Sequence, residues 1–195
     1  MQHSWCATQS NTADSSVYPY RRSNAWESLR NILLSPKKHL KRLPLQKDFR
    51  VLEVGCGAGF YSVEVARFLT YGILTLIDDQ ENMLATAKSK MEKAQLDNVH
   101  YINADAVRLP LTDGSVDMIY LVTVFGELYA QQTFLKEAWR VLKADGFLSI
   151  SEHRPAPAFM PMDVVESFVI QEGFDLPEMY GWQWNYTLNF KKITA

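Results

Sequence analysis

The stretch that decides the fold runs from Val51 to Phe60 and reads VLEVGCGAGF. Its first four residues belong to an apolar, β-branched run that is typical of a buried strand. Three glycines follow at alternate positions, Gly55, Gly57 and Gly59, directly before the pattern of an amphipathic helix. Glycine is needed where a backbone turns sharply and where a ligand approaches it closely. The stretch therefore predicts a strand, a tight ligand-binding loop and a helix whose first N–H groups face the ligand.

Short apolar runs alternate with helical patterns along the rest of the chain. Strand patterns cover 50–54, 73–77, 99–103, 116–122 and 147–152, and a helix is predicted over 60–70. Gly146 is predicted to cap a helix and Asp163 to open another as a capping box, before two antiparallel strands, 174–180 and 184–191, around Gly181. Alternation of strands and helices implies parallel βαβ units. We expect an α/β fold, a doubly wound Rossmann-like sandwich with a mostly parallel seven-stranded sheet and an antiparallel C-terminal strand.

Composition indicates one globular domain. The chain has 195 residues, 47% of them hydrophobic, and a formal net charge of −2, so no global basic field attracts nucleic acid. A local basic run over 37–50 favours a solvated face over a phosphate-binding patch. Cys6 and Cys56 suggest neither a disulfide framework nor a metal site, and no apolar run is long enough to span a bilayer. A cytoplasmic protein is the expectation.

The N-terminal residues differ in character from the rest. Residues 1–24 are rich in Ser, Thr, Asn and Gln and have no apolar core of a secretory signal. They predict a poorly ordered tail before a domain over 25–195. A lid formed over a filled pocket by Tyr18, Tyr20 and Trp26 is an open alternative.

The glycine loop has several candidate ligands. A P-loop needs Gly-Lys-Ser/Thr where this chain has Phe60-Tyr61, and a dinucleotide fingerprint needs a glycine at Phe60. Glu53, just before the loop, would repel a pyrophosphate. The same carboxylate suits a ligand with an ammonium and a sulfonium group, and S-adenosylmethionine carries both.

Two more carboxylates follow predicted strands. Asp78 ends the second strand, where a carboxylate can accept hydrogen bonds from both ribose hydroxyls. Asp105 follows the third strand, where it could accept from an adenine amino group. Either residue alone could be a helix cap or a solvated turn. Together with Glu53, however, three acids after three successive strands on one sheet edge favour a nucleoside ligand.

Four segments carry a family resemblance: VLEVGCGAGFYS, LIDDQENMLATAK, NADAVRLPLTDGSVDMIY and EAWRVLKADGFLSISEH. They resemble the type 11 group of class I S-adenosylmethionine-dependent methyltransferases, whose product is S-adenosylhomocysteine. The resemblance implies that Glu53 serves the methionine amino group and that Asp78 binds the ribose. It also implies that the amino acid moiety of the cofactor is lined by Gly55, Cys56, Gly57 and Gly59. The nucleoside would lie beside Asp79 and Met83, and the adenine would be held by Asp105 and Ala106. Leu121 would contact the cofactor after strand four.

The acceptor side departs from the family pattern. Where a polar or His-rich stretch is common after strand four, this chain has VTVFGE. Methyl transfer needs alignment, desolvation and sometimes a base. Strand-end placement makes Glu127, Tyr129 and His153 the predicted catalytic residues, with Glu152 beside them. His153 is predicted to orient or deprotonate the acceptor.

The acceptor itself is predicted only by class. The chain has neither an Asn/Asp-Pro-Pro-aromatic tetrapeptide nor an appended RNA-binding module, which favours a small molecule over nucleic acid or protein. An RNA or protein methyltransferase that uses the basic run over 37–50 is one alternative. A non-catalytic S-adenosylmethionine-binding regulatory protein is the other. No metal and no membrane partner is predicted, and the sequence leaves the oligomeric state open.

Overall fold

A computed structural model describes residues 35–193 of the chain. The predicted tail over 1–24 and the lid residues Tyr18, Tyr20 and Trp26 lie outside this range, so the predicted boundary at residue 25 stays a prediction. The elements are α1 (Pro36–Leu40), β1 (Arg50–Val54), α2 (Ser62–Phe68), β2 (Ile73–Asp78), α3 (Glu81–Lys93), β3 (Val99–Asn103), β4 (Val116–Val122), a 3₁₀ turn (Phe125–Glu127), α4 (Gln131–Val141), β5 (Leu142–His153), α5 (Met162–Gln171), β6 (Glu178–Trp182) and β7 (Asn185–Lys191).

The strands form one seven-stranded sheet in the order β3-β2-β1-β4-β5-β7-β6. Strands β1 to β5 pair in parallel, and β7 is antiparallel to both β5 and β6. This arrangement confirms the predicted fold class. The strand order reverses between β1 and β4, and ligands of such sheets bind beyond the carboxyl ends of the strands at that reversal. The carboxyl ends of β1, β2 and β4 therefore define where a site is expected.

Each face of the sheet is covered by its own apolar core. Helices α2 and α3 cover one face, where Leu76 and Met91 are fully buried. Helices α4 and α5 cover the other, where Phe134 and Val169 are fully buried. Since a buried side chain of this size contributes about 1.5–3 kcal/mol, these two cores hold the strand ends, and the loops that leave them, in fixed positions.

The β5–β7 pair carries a row of buried polar contacts. Ser149 Oγ donates to Asn189 Oδ1 at 2.7 Å, and the hydroxyls of Ser151 and Thr187 lie 2.9 Å apart. Each pair is also directly opposite in the antiparallel register. A slip of β7 by one residue would separate both pairs and move its side chains to the opposite face of the sheet. These contacts therefore fix the register of β7.

The role predicted for Gly146 as the cap of helix α4 is wrong. Helix α4 ends at Val141 and β5 begins at Leu142 with no loop between them. The residue with left-handed backbone is Asp145, with φ 62°, rather than the predicted cap Gly146. A Cβ on Gly146 would lie 2.9 Å from the carbonyl oxygen of Lys143. Glycine is needed there for close approach of the backbone.

Other predicted boundaries shift by a few residues. Helix α5 begins at Met162 after Pro161, and its N-cap makes no side-chain hydrogen bond, so the capping box predicted at Asp163 is wrong. Gly181 lies inside β6, with φ 99°, and a Cβ there would overlap the carbonyl oxygen of Asn185.

Over residues 35–193, no helix has the length and apolar character of a membrane-spanning segment.

Candidate active site

The loop between β1 and α2 is built from glycines in the left-handed backbone region. Gly55, Gly57 and Gly59 have φ values of 66°, 50° and 72°, which other residues rarely adopt. A Cβ on Gly55 would lie 2.5 and 2.8 Å from the two methyl carbons of Val124, and one on Gly59 would lie 3.0 Å from Cβ of Ala87. The glycines thus let the loop pass between the turn after β4 and helix α3.

Asp78 holds this loop to the end of β2. Its Oδ2 accepts the Gly57 N–H at 2.7 Å, and its Oδ1 accepts the Gln80 N–H at 3.0 Å. The side chain is buried, with 6% of its residue surface exposed. A carboxylate has about four acceptor positions, and these two bonds take two of them. The position beside the loop suits the predicted ribose contact and also makes Asp78 a structural link.

Glu53 lies buried beside the same loop. Ser62 Oγ and Tyr120 OH donate to its Oε2 at 2.5 and 2.6 Å, while Oε1 accepts no hydrogen bond from a residue in the described range. Burial raises the pKa of Glu53 to about 7, with a smaller contribution from the charge of Asp78 and against the two hydrogen bonds. A cation beside Oε1 would favour the ionised form, as the predicted contact with the methionine ammonium requires.

The remaining predicted cofactor residues have unequal access to a ligand. Cys56 is buried, and burial together with the charges of Glu53 and Asp78 raises its thiol pKa, so it stays protonated and is no nucleophile. Asp79 is exposed and Met83 half-buried at the start of α3. Leu121 is fully buried in the core under α4 and α5. The predicted cofactor contact of Leu121 stays a prediction.

Asp105 contacts a residue that was predicted to act on the acceptor. Its Oδ1 accepts the Val107 N–H at 3.0 Å, and its Oδ2 accepts the Tyr129 hydroxyl at 2.9 Å. Tyr129 is 76% exposed, and Ala106 is half-buried. The Tyr129 ring reaches from the segment after β4 to the turn after β3. The structure therefore places the Tyr129 hydroxyl with the predicted adenine residue.

The remaining predicted catalytic residues lie on opposite faces of the sheet, near the carboxyl ends of β4 and β5. Successive strand residues point to opposite faces. Glu152 faces the α4–α5 side, where the charge of Glu127 acts on it, whereas His153 faces the α1 side, where its charge acts on His39. Burial raises the pKa of Glu152 to about 8, and Glu127 adds to the shift, while the Gly126 N–H opposes it. Glu127 and Glu152 are thus together, and His153 is apart from them.

Helix α1 brings a histidine that the sequence analysis missed. His39 is buried, and its ring centroid lies 4.7 Å from that of Tyr61 and 6.2 Å from that of Tyr120. Burial, then the charges of Arg42 and His153, lower its pKa to about 3, so it is neutral. Because His39 stands in a basic run on a helix of five residues, no periodicity marked it as buried.

The basic run is only partly a solvated face. Its lysines at 37, 38, 41 and 47 are exposed, as predicted. Arg42 is only partly exposed, because its Nη1 donates to Asn185 Oδ1 and its carbonyl oxygen accepts from Asn189 Nδ2, both at 2.7 Å.

No group of three or more potential metal-ligating side chains occurs in the described part of the chain.

Comparison with known proteins identifies the family. Residues 52–150 match the family described as a methyltransferase domain. The chain belongs to the class I S-adenosylmethionine-dependent methyltransferases. It is 28% identical to an S-adenosylmethionine-dependent methyltransferase from Aquifex aeolicus, with a TM-score of 0.78 over 84% of this chain and 93% of that one.

Two other similarities bound what family membership implies. A demethylmenaquinone methyltransferase from Listeria welshimeri is 32% identical over 131 residues, which are 67% of this chain and 56% of that protein. The chain thus spans about half the length of the curated relatives it matches. The [4+2]-cyclase SpnF has a TM-score of 0.72, over 90% of this chain and 85% of that one, at 20% identity, a likeness of fold alone.

Proposed function

We propose that the chain binds S-adenosylmethionine at the glycine loop and transfers its methyl group to a small-molecule acceptor beyond the ends of β4 and β5. The observation that carries this proposal is the loop itself. Three left-handed glycines lie between buried Glu53 and Asp78, and Asp78 binds the loop to β2 through the Gly57 N–H.

The residues at the loop fit the cofactor chemically. Glu53 offers Oε1 to an ammonium group, Asp78 lies where ribose hydroxyls would need acceptors, and Asp105 lies beyond the next strand. When bound, the cofactor supplies an electrophilic methyl carbon and a thioether leaving group. The protein then has to align the acceptor and exclude water. Alignment of this kind needs no dedicated triad, which agrees with the separation of Glu127 from His153.

A small-molecule acceptor is supported by the Listeria relative, whose name specifies demethylmenaquinone. The net charge of −2 also offers no broad positive surface for a polyanion. The exposed lysines at 37, 38, 41 and 47 make RNA the alternative acceptor that an experiment should include.

Calorimetry followed by a transfer assay tests the proposal. S-adenosylmethionine and S-adenosylhomocysteine should each bind at least about a hundredfold tighter than NAD or ATP, which is about 2.7 kcal/mol. Label from methyl-labelled cofactor should then appear in the small-molecule fraction of a cell extract and not in added RNA. Tighter binding of NAD would contradict the cofactor assignment. Label in RNA, or no transfer at all, would contradict the acceptor assignment.

A further inference from the structure

Glu152 is a buried carboxylate that receives no full hydrogen bond in the described part of the chain. Only 1% of its surface is exposed, and neither Oε1 nor Oε2 has a hydrogen bond with any residue of the described range. Buried polar groups in folded proteins are nearly always paired, since water is lost and must be replaced by another donor. Two unpaired oxygens on one buried side chain indicate that a donor from outside the described residues completes this site.

The groups around Glu152 do not supply that donor. Tyr186 lies directly opposite on β7, but its hydroxyl donates to the carbonyl oxygen of Met160 at 2.7 Å. The Gly126 N–H is near enough to lower the pKa of Glu152, but it does not approach either oxygen with the distance and angle of a full hydrogen bond. Among the described residues, the charge that acts on Glu152 is that of Glu127, which is also negative. These neighbours therefore favour a positive or proton-donating group as the partner of the Glu152 carboxylate.

The segment after β5, residues 154–161, closes over the same turn. Gly126 approaches it so closely that a Cβ would overlap the carbonyl oxygen of Ala158. The segment is held by aromatic contacts. The Arg154 guanidinium lies 4.2 Å from the Trp184 ring centroid and 5.0 Å from that of Phe159. Phe159 in turn lies 6.1 Å from Tyr186. Since residues 154–159 are all exposed or half-buried, this cover is one chain thick.

We propose that Glu152 binds the hydrogen-bond donor of the methyl acceptor, an ammonium or an aromatic hydroxyl, in a site with aromatic walls from Phe159 and Tyr186. Glu152 lies at the carboxyl end of β5, the edge of the sheet to which the glycine loop also belongs. The like charge of Glu127 disfavours an anionic acceptor. Only the naming of this ligand as the methyl acceptor rests on the proposed function. The binding site itself rests on Glu152 and its neighbours.

Three ligands of one size test the site: phenethylamine, 4-ethylphenol and ethylbenzene. Each is titrated into the full chain with and without S-adenosylhomocysteine, and binding is followed by tryptophan fluorescence. We expect phenethylamine, 4-ethylphenol or both to bind at least about tenfold tighter than ethylbenzene, and the tighter of the two identifies the donor. In Glu152→Gln this preference should fall below about threefold. Glu92→Gln, which changes an exposed carboxylate on α3, should keep it.

Several outcomes would overturn the site. Equal binding of all three ligands, no saturable binding of either donor compound, or an unchanged preference in Glu152→Gln would each do so. Urea unfolding at pH 9 gives a second measurement, because a carboxylate without a partner loses nothing on replacement by an amide. Marked destabilisation of Glu152→Gln would instead show a structural role. Failure of the proposed function appears separately, as absence of S-adenosylhomocysteine binding in the same titrations.

Discussion

Replacing Asp78 with alanine should destabilise the protein as well as weaken cofactor binding. The substitution leaves the N–H groups of Gly57 and Gln80, now bound at 2.7 and 3.0 Å, without an acceptor. A hydrogen bond to a charged group contributes about 1.5–3 kcal/mol. Two such bonds at the low end of that range, since water can reach the emptied site, give an expected loss of about 3 kcal/mol in unfolding free energy. If the Asp78 carboxylate faced only the pocket, its replacement by alanine would leave the unfolding free energy unchanged.

Urea unfolding followed by tryptophan fluorescence measures this loss. With a slope of about 2 kcal/mol per molar urea, the midpoint should fall by about 1.5 M. Asp79→Ala is the matched control, because it removes the neighbouring carboxylate, which is exposed. It should shift the midpoint by less than about 0.3 M, the size of an ordinary surface change. Equal shifts in the two variants would refute the assignment of Asp78 as the link between β2 and the loop.

Two further predictions concern the same loop. Gly55→Ala should cost about 3 kcal/mol, the sum of left-handed strain of about 1–2 and overlap with Val124 of about 1–3. The double variant with Val124→Ala should recover the overlap alone, and strict additivity in urea unfolding would count against the clash. The folded pKa of Glu53 is about 7 against an ordinary 4.5, so its contribution to stability is full below pH 4.5 and is lost as pH rises through 7. Glu53→Gln should therefore flatten the stability profile between pH 5 and 8 by up to about 3 kcal/mol, and an unchanged profile would contradict this.

Local patterns were enough to predict the scaffold and the glycine loop that follows β1. The strand, loop and helix around Gly55 follow from residue types within ten positions, and the alternation of elements determines the parallel sheet. Gly146 shows the limit of that reasoning. A glycine required by close packing against Lys143 has the same sequence appearance as a glycine that caps a helix, and only the tertiary contact separates them.

The acceptor side is harder to predict from sequence, because it depends on which face of a strand each side chain occupies. His153 was favoured over Glu152 for its pKa in solution. The alternation of β5 carried a usable signal, since Glu152 shares a face with apolar Leu148 and Ile150 and so enters the core. The contact between Tyr129 and Asp105 joins segments from different strands. No local pattern encodes such a contact.

The position of β7 has a consequence for biosynthesis. Strand β6 is translated first, yet among the described strands it pairs only with β7, and β7 fills the place beside β5. As the chain leaves the ribosome, residues 178–182 have no strand to join, and the hydrogen-bonding edge of β5 stays open until residues 185–191 emerge. The glycine loop and its carboxylates are complete by then. A chain truncated between these two strands would therefore carry all its cofactor residues together with an open edge of β5 that can pair with another chain.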